Sequence, residues 1–153
     1  MPANVNSLVA ELHDLMQTDA HVHGVRLSLN LAAQLPAVKV DAGEIQQVVL
    51  NLVRNSLDAL ALRPDANAEI SIRTSTTPAG EVELAVLDNG PGLRPEARQR
   101  LFDPFFSTKE NGTGLGLAIS NTIARNHGGS VGYRPNQPTG ACFYILLPAK
   151  LLD

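Results

Sequence analysis

The chain has 153 residues, of which 44% are apolar, and this length and composition suit one globular domain with its own core. Its net charge of -3 gives no electrostatic sign of binding to nucleic acid or to an anionic membrane surface. No apolar run approaches the ~18 to 20 residues of a membrane-spanning helix, and the first residues lack the layout of a signal peptide, so we expect a cytoplasmic location. The lone Cys142 permits no internal disulfide, and zinc-ligand spacing is absent from the sequence.

The first part of the chain predicts a helix and then a strand. Leucines at helical spacing predict a helix over residues 6–20. Because its apolar face is narrow and it precedes the first strand, we interpret it as the end of a longer linker helix. Alternating apolar and polar residues then predict a half-buried strand over residues 25–31, followed by a short extended segment at residues 38–40.

A long amphipathic helix with an unusual polar edge is predicted over residues 43–60. Asp41 is placed to cap its start, with Glu44 completing a capping-box pattern. Asn is a poor helix former, so two Asn one turn apart suggest a bound partner such as Mg²⁺ or phosphate. On its own, however, such an edge is more often an ordinary solvated face. The polar edge follows steps of four, four and three residues: Gln47, Asn51, Asn55 and Asp58.

The middle of the chain predicts a hairpin and then a long aperiodic stretch. Two strands over residues 69–76 and 81–87, joined through Pro and Gly, are typical of an antiparallel hairpin. Periodicity nearly vanishes over residues 89–114, apart from a short helical piece around residues 94–101. A loop of this length inside a compact domain is usually functional or disordered.

The last part of the chain predicts a helix over residues 115–126 and two strands over residues 130–133 and 141–147. The predicted fold class is therefore α+β. We expect a two-layer α/β sandwich, in which a mixed, mostly antiparallel sheet of about five strands is covered on one face by about three helices.

Two glycine-rich segments enclose the aperiodic stretch. Asp88 closes a predicted strand, and a carboxylate fixed there can accept a hydrogen bond from an exocyclic amine, while Gly90 and Gly92 let a flat ring approach the backbone. The second segment, residues 112–116, opens a helix, whose free N–H groups and positive dipole end suit phosphate. Taken singly, the first segment is also ordinary turn chemistry and the second is a weak signal.

An aromatic cluster lies between the two glycine segments, at Phe102, Phe105 and Phe106. Exposed Phe residues in a loop either pack back as an anchor or dock on a partner. Both uses suit a flexible lid over a nucleotide, which we expect at about residues 94–114.

In this order and at this spacing, these segments resemble the catalytic and ATP-binding domain of sensor histidine kinases, within the gyrase, heat-shock chaperone, histidine kinase and mismatch-repair ATPase superfamily. The likeness covers about residues 25–148. Five segments carry it: residues 51–59 (NLVRNSLDA) are similar to the N box, residues 88–93 (DNGPGL) to the first glycine box, residues 101–109 (LFDPFFSTK) to the F box, residues 112–120 (GTGLGLAIS) to the second glycine box and residues 140–148 (GACFYILLP) to the closing strand.

The resemblance implies a role for each matching residue. Asn55 would coordinate Mg²⁺, Asn51 would assist at the phosphates and Lys109 would contact the γ-phosphate, and these three form the implied catalytic set. Asp88 would bind the adenine amine, with Gly90 and Gly92 beside the ring. The remaining implied ATP-binding residues are Asp58, Thr108, Gly112, Thr113, Gly114, Leu115, Gly116 and Leu117.

The sequence departs from the family pattern at two places, and the second departure bears on the expected domain organisation. The closing strand often begins Gly-Thr, whereas Ala141 follows Gly140 here, which leaves Thr139 as the candidate replacement. The His13-Asp14 pair lacks the Pro of a phosphoacceptor motif, because Thr18 stands five residues on. We therefore expect residues 1–22 to be the end of a linker helix from a dimerisation domain, and residues 23–153 to be the catalytic domain.

The implied reaction is transfer of the ATP γ-phosphoryl group to a histidine on that separate dimerisation domain, with a response regulator downstream and no membrane contact from this fragment. Family members that hydrolyse ATP efficiently carry a Glu at the position of Asn51, and an amide cannot take a proton from water. Glu44, seven residues earlier, stands ~10 Å away along the helix. We expect little hydrolysis. A regulatory nucleotide-binding module without turnover and an anti-sigma-type serine kinase are the alternatives, and the full-length kinase is either free in the cytoplasm or membrane-anchored.

Overall fold

The computed structural model describes residues 2–62, 65–93 and 116–149. The short helical piece and the lid expected within residues 94–114 lie outside these ranges. Within them the chain forms four helices and seven strands: β1 Pro2–Ala3, α1 Val5–Glu11, α2 His13–Val22, β2 Arg26–Asn30, β3 Val38–Lys39, α3 Ala42–Ala61, β4 Glu69–Thr76, β5 Val82–Asp88, α4 Gly116–Asn126, β6 Ser130–Pro135 and β7 Ala141–Leu147.

Five strands form the main sheet, in the order β2-β4-β5-β7-β6. β2 runs parallel to β4, because the chain crosses over through α3 between them, and every other neighbouring pair is antiparallel. The predicted hairpin of β4 and β5 is confirmed, and so is the predicted α+β class with a mixed, mostly antiparallel sheet. In the register of β5 with β7, Leu87 pairs with Cys142, which brings residue 140 beside the end of β5.

The core lies between the sheet and the apolar face of α3. Along β5 the side chains of Val82, Leu84 and Val86 are at most 1% exposed. Each alternates with a residue on the other face, as the two-residue period of a strand requires. The matching face of α3 is fully buried at Ile45, Val48, Val49 and Leu52.

The start of α3 follows the predicted capping pattern. Asp41 has extended backbone angles, and its Oδ1 accepts a hydrogen bond from the Glu44 N–H at 2.9 Å. This bond satisfies one of the free N–H groups of the first turn. The helix therefore begins at Ala42, close to the predicted residue 43.

The helix predicted over residues 6–20 is two helices, so the prediction of a single helix is wrong. Leu12 ends α1 and precedes α2, with φ -93° and ψ -3°. Both helices pack against the core: α1 buries Val5 and Val9, and α2 buries Met16 and Ala20. Their spacing of four, seven and four residues is that of one continuous helix face, so the apolar pattern gives no sign of the break at Leu12.

Residues 2–22 pack against the same core as the rest of the described chain. Gln46 of α3 donates from Nε2 to the Leu8 carbonyl at 3.1 Å and to the Glu11 carboxylate at 2.8 Å. Asn6 accepts a hydrogen bond from the buried Thr74 hydroxyl of β4 at 2.7 Å. The domain boundary expected at residue 22 stays a prediction, but the segment before it is tied to both α3 and the sheet.

A small second sheet lies beside this segment. β1 pairs antiparallel with β3, with Ala3 opposite Val38. Val38 also forms an isolated antiparallel bridge with Ala149. The first and last described stretches of the chain therefore meet at the same short strand.

None of the helices in the described ranges combines the length and the apolar character that crossing a membrane requires.

Candidate functional site

A buried carboxylate closes β5. Asp88 is 1% exposed, and its Oδ1 accepts hydrogen bonds from the N–H groups of Gly90 at 2.9 Å and of Ala141 at 3.3 Å. Burial raises the pKa of Asp88 above its ordinary value of 3.8, against a lowering by those two N–H groups and by the Ser56 hydroxyl. Even so, Asp88 Oδ2 and the fully buried Ser56 Oγ both lack a partner at hydrogen-bonding geometry among the described residues.

An unpaired carboxylate oxygen inside a protein is costly, because it has lost its water without gaining a donor. Buried polar atoms left in this state are few in folded proteins, and each one asks for an explanation. At Asp88 the missing partner is a donor that approaches Oδ2. A ligand amine would supply that donor.

Three glycines hold the backbone close around Asp88. Gly140 has a φ of +111°, and a Cβ on it would overlap the Asp88 carbonyl oxygen. Gly92 has a φ of +76°, and a Cβ there would lie 3.2 Å from the Gly140 carbonyl oxygen. At Gly90 an added Cβ would be 3.1 Å from Leu60 and 3.2 Å from Asp88 Oδ1. The loop after β5 and the turn before β7 can therefore approach only because neither carries a side chain here.

A cavity opens beside this carboxylate, between α3 and the sheet. Asn55 lines it from α3, and Gly92 lines it from the loop after β5. Ala141 connects the cavity to the carboxylate, because it both lines the cavity and donates its N–H to Asp88. The remaining described lining is apolar and comes from Ala59, Leu62, Leu93 and Phe143. A flat apolar ring with an amine at its edge suits this combination.

The polar edge of α3 meets the start of α4. Asn51 donates from Nδ2 to the Ser120 hydroxyl at 3.2 Å and to the Gly116 carbonyl at 3.5 Å. Gly116 and Leu117 are the first two residues of α4, so the structure brings the asparagine edge next to the end of the second glycine segment. Asn55 and Asp58 are half-buried one and two turns further along the same edge.

The family resemblance places the expected metal ion at the asparagine edge. In the described ranges no cluster of three or more His, Cys, Asp or Glu side chains is able to hold a metal ion. The Asn55 side chain makes no hydrogen bond with the described part of the chain, so its amide oxygen is available as a ligand. Mg²⁺ commonly takes one or two protein oxygens and completes its shell with water and substrate phosphate. The donors present fit that kind of site and no all-protein metal cage.

Several predicted residues lie outside the described part of the chain. Their geometry with respect to Asp88 and Asn55 stays a prediction. They are Thr108, Lys109, Gly112, Thr113, Gly114 and Leu115, together with the aromatic cluster Phe102, Phe105 and Phe106.

The turn before β7 holds one residue that sequence reasoning missed, Asn136, and one that it named, Thr139. Asn136 donates from Nδ2 to the Asp88 carbonyl at 2.8 Å, which fixes the backbone of the residue that carries the carboxylate. Thr139, the candidate replacement for the family hydroxyl, is exposed and donates to the Asn89 carbonyl at 3.4 Å. A Pro- and Asn-containing turn before a strand is too common a pattern to have pointed to either contact.

The fold and this site together define a class of ATPase-like domains. Residues 40–151 match the model of the histidine kinase-, DNA gyrase B- and HSP90-like ATPase family, so the chain belongs to that family. The resemblance stated from the sequence motifs is thereby confirmed.

Relatives within the family are sensor kinases. The chain is 32% identical over 148 residues to the sensor protein TdiS of Thauera aromatica, covering 96% of this chain and 27% of TdiS. It is 35% identical over 161 residues to the sensory histidine kinase/phosphatase NtrB of Rhizobium leguminosarum bv. phaseoli, covering 98% of this chain and 42% of NtrB. The chain thus spans less than half the length of either relative.

Solved structures show the same fold. The catalytic domain of the histidine kinase ThkA, in a nucleotide-free form, superposes with a TM-score of 0.83 at 29% identity, covering 97% of this chain and 95% of that domain. Full-length ShkA in complex with AMPPNP superposes with a TM-score of 0.84 at 30% identity, covering 100% of this chain and 32% of ShkA.

Proposed function

We propose that this chain is the ATP-binding catalytic domain of a sensor histidine kinase in a two-component system. The observation that carries the proposal is the buried Asp88 carboxylate, which keeps one oxygen without a partner beside a cavity that Asn55 lines. The exocyclic amine of adenine is a donor of the right kind for that oxygen, and the apolar lining of the cavity suits the ring. Family membership and the named kinases among the relatives support the same function.

The adenine end of the proposed site is formed by Asp88 and the apolar lining. Leu93 and Phe143 would pack against the faces and edges of the ring. The carboxylate would accept the amine hydrogen bond, which offsets the cost of burying its free oxygen. A guanine ring carries a carbonyl in place of that amine, so a carboxylate at this position favours adenine.

The phosphate end of the proposed site is formed by α3 and the start of α4. Asn55 is the proposed Mg²⁺ ligand, and Asn51 assists at the phosphates, with Asp58 further along the same edge. The N–H groups at Gly116 and Leu117 belong to a helix N-terminus, which carries a partial positive charge suited to phosphate. From the sequence we add Thr108, Lys109, Gly112, Thr113, Gly114 and Leu115 as phosphate contacts.

The proposed reaction is in-line phosphoryl transfer. A ring nitrogen of the acceptor histidine attacks the γ-phosphorus with its lone pair, the bond from that phosphorus to the bridging β–γ oxygen breaks, and ADP leaves. The phosphorylated imidazolium then loses its ring proton to solvent. A bound Mg²⁺ would neutralise phosphate charge, while this chain positions the nucleotide and supplies oriented N–H groups.

The side chain at position 51 supplies no general base for the competing reaction, hydrolysis of ATP by water. Asn51 cannot accept a proton, and its amide nitrogen is engaged with Ser120 and Gly116. An attacking water would find no general base there. We therefore propose that acceptor-independent hydrolysis is slow and that ATP is consumed mainly when a histidine is presented.

The proposed partners are the domain that presents the acceptor histidine and the protein that then receives the phosphoryl group. The acceptor histidine would lie on a dimerisation domain of the same kinase, and a response regulator would receive the phosphoryl group from it. ThkA, whose catalytic domain shares this fold, has been solved in complex with the response regulator protein TrrA.

The test combines this chain with a separately produced dimerisation domain and ATP labelled at the γ-phosphate. We expect label on the acceptor domain that is lost in acid and retained in base, as phosphohistidine is. Acid-stable label would instead indicate a serine kinase of the anti-sigma type. Binding of ATP without transfer to any acceptor would indicate a regulatory module, and either outcome would overturn the proposed kinase function.

A further inference from the structure

A histidine outside the proposed site joins the two helices that form its phosphate end. His127 directly follows α4 and is half-buried. Its Nδ1 lies 2.8 Å from the Ile123 carbonyl oxygen, one turn back along α4, and its Nε2 lies 3.0 Å from the backbone nitrogen of Asp41. One imidazole ring therefore bridges the end of α4 and the residue that caps α3.

The two partners determine the protonation state of the ring. A carbonyl oxygen can only accept a hydrogen bond, so Nδ1 must carry the proton and donate to Ile123. A backbone N–H can only donate, so Nε2 must be unprotonated and accept from Asp41. Both bonds exist together only in the neutral ring with the proton on Nδ1.

Tight packing of the following turn holds the ring in place. Gly129 donates its N–H to the Ala124 carbonyl at 2.8 Å, and a Cβ on Gly129 would overlap the Leu146 carbonyl oxygen of β7. Gly128 takes a φ of +80°, which favours glycine. The chain leaving α4 is thus pressed against the sheet, and His127 has little freedom to move away from Asp41.

His23 is a natural comparison within the same chain. It directly follows α2, and its Nδ1 lies 2.8 Å from the carbonyl oxygen of Asp19, four residues earlier. The local capping bond is therefore the same as at His127. His23 is exposed and has no bond from Nε2 to another helix in the described part of the chain, so the bridge to Asp41 is what distinguishes His127.

Hydrogen bonds join α3 and α4 at both ends of their contact, and the His127 bridge lies at one of these ends. At the other end, Asn51 of α3 bonds to Gly116 and Ser120 of α4. Gly116 and His127 are eleven residues apart, or ~16 Å along the helix. Ties at both ends fix how far α4 slides or tilts along α3, and hence where the α4 N-terminus stands relative to the asparagine edge.

We propose that His127 is a positioning residue for triphosphate binding: its neutral Nδ1–H ring ties α4 to the cap of α3 and so sets the α4 N-terminus against Asn51 and Asn55. The inference rests on the proposed function, because it assigns His127 to the phosphate end of that site. Asp88 lies on β5, and none of the described residues that line its cavity comes from α4. His127 therefore acts on the triphosphate and leaves adenine binding unchanged.

The test measures the affinity of this chain for a non-hydrolysable ATP analogue with Mg²⁺ and, separately, for adenosine. In His127→Leu we expect analogue affinity to fall about fivefold, the size of one lost hydrogen bond, with adenosine affinity within about twofold of wild type. His127→Gln, whose amide oxygen can accept from Asp41, should restore analogue binding to within about twofold. His23→Leu is the matched control and should leave both affinities unchanged.

Equal losses for the analogue and adenosine, or no loss for either in His127→Leu, would overturn the proposal. Nitrogen NMR of the wild-type ring gives a second reading that needs no variant to fold. We expect the Nδ1–H form, and an Nε2–H ring would overturn the bridge itself. If wild-type protein binds adenosine but not the analogue, or neither, the proposed function fails, and the ring measurement still decides whether the bridge exists.

Discussion

The two ends of the proposed site are built differently. At the adenine end most contacts to the functional side chain come from backbone. Asp88 is fully buried, and glycines at 90, 92 and 140 let the backbone segments around it approach closely. Backbone N–H groups donate to one of its carboxylate oxygens. At the phosphate end, half-buried amide side chains on α3 face the first turn of α4. The first end is shaped when the sheet forms, whereas the second depends on how two helices lie against each other.

This difference predicts different responses to mutation. Changes at the adenine end should alter folding and binding together, because the same contacts serve both. Changes at the phosphate end should alter binding with little effect on the fold. Four experiments test the contrast, beginning with the largest expected effect.

Gly140→Ala should cost about 3 kcal/mol or more of folding free energy, because it adds backbone strain to a steric overlap. The new Cβ would overlap the Asp88 carbonyl oxygen, at a φ of +111°. Gly80→Ala is the matched control, since Gly80 has a φ of +85° but no atom within 4 Å of an added Cβ. Chemical denaturation of both variants measures the two costs, and equal losses would contradict the role given to the overlap.

Asp88→Asn should abolish the thermal shift that ATP and Mg²⁺ give the wild-type chain, with affinity reduced about 100-fold by the loss of the acceptor for the adenine amine. Without nucleotide, the variant should melt no lower than wild type, because it removes a buried carboxylate whose second oxygen has no partner. The exposed Asp14 supplies the control substitution Asp14→Asn. A normal ATP shift in Asp88→Asn would refute the adenine assignment.

Asn55→Ala should reduce ATP affinity about tenfold in the presence of Mg²⁺ and much less in its absence, because the side chain is the proposed metal ligand. Its melting temperature without nucleotide should stay close to that of wild type, since the Asn55 side chain makes no hydrogen bond with the described residues. Gln47→Ala, on the same edge of α3 but two turns earlier, controls for loss of a polar side chain. Calorimetry with and without Mg²⁺ gives the comparison, and a loss independent of Mg²⁺ would argue against metal binding.

The pH dependence of stability should report the burial of Asp88. Its pKa is raised in the folded chain, so its contribution to stability is fully present below the ordinary value of 3.8 and is lost as pH rises through the folded pKa. The melting temperature of Asp88→Asn relative to wild type should therefore increase as pH rises above about 4. A difference that stays constant or shrinks with rising pH would contradict the raised pKa.

The contrast between the two ends also explains what could be predicted from the sequence. Asn51, Asn55, Asp88 and Gly92 stand in short motifs whose chemistry is visible locally, and the structure brings Asn55 and Gly92 to one cavity. Helix and strand types were likewise readable from periodicity, as in α3 and in the hairpin of β4 and β5. Local patterns suffice where one element carries the whole signal.

Residues that act through long-range pairing were not predictable in this way. Gly140 and Asn136 reach Asp88 only because β7 pairs with β5 in a particular register. His127 meets Asp41 across 86 positions of sequence. Leu12 interrupts a helical pattern whose apolar spacing continues unchanged on both sides of it, so local periodicity could not reveal the break. Phe143 and Leu93 line the cavity, but the sequence does not distinguish them from core residues, since a cavity wall and a core share one composition.

The pairing of β1 and Ala149 with β3 has a practical consequence for building with this domain. Val38 contacts Ala3 on one side and Ala149 on the other, so the entry and exit of the described chain are neighbours. A domain with adjacent ends tolerates insertion into a host loop and circular permutation. Any chain that leads into residue 2 and any that leads out of residue 149 would therefore pass on opposite sides of Val38, while the hairpin turn around Gly80 is exposed.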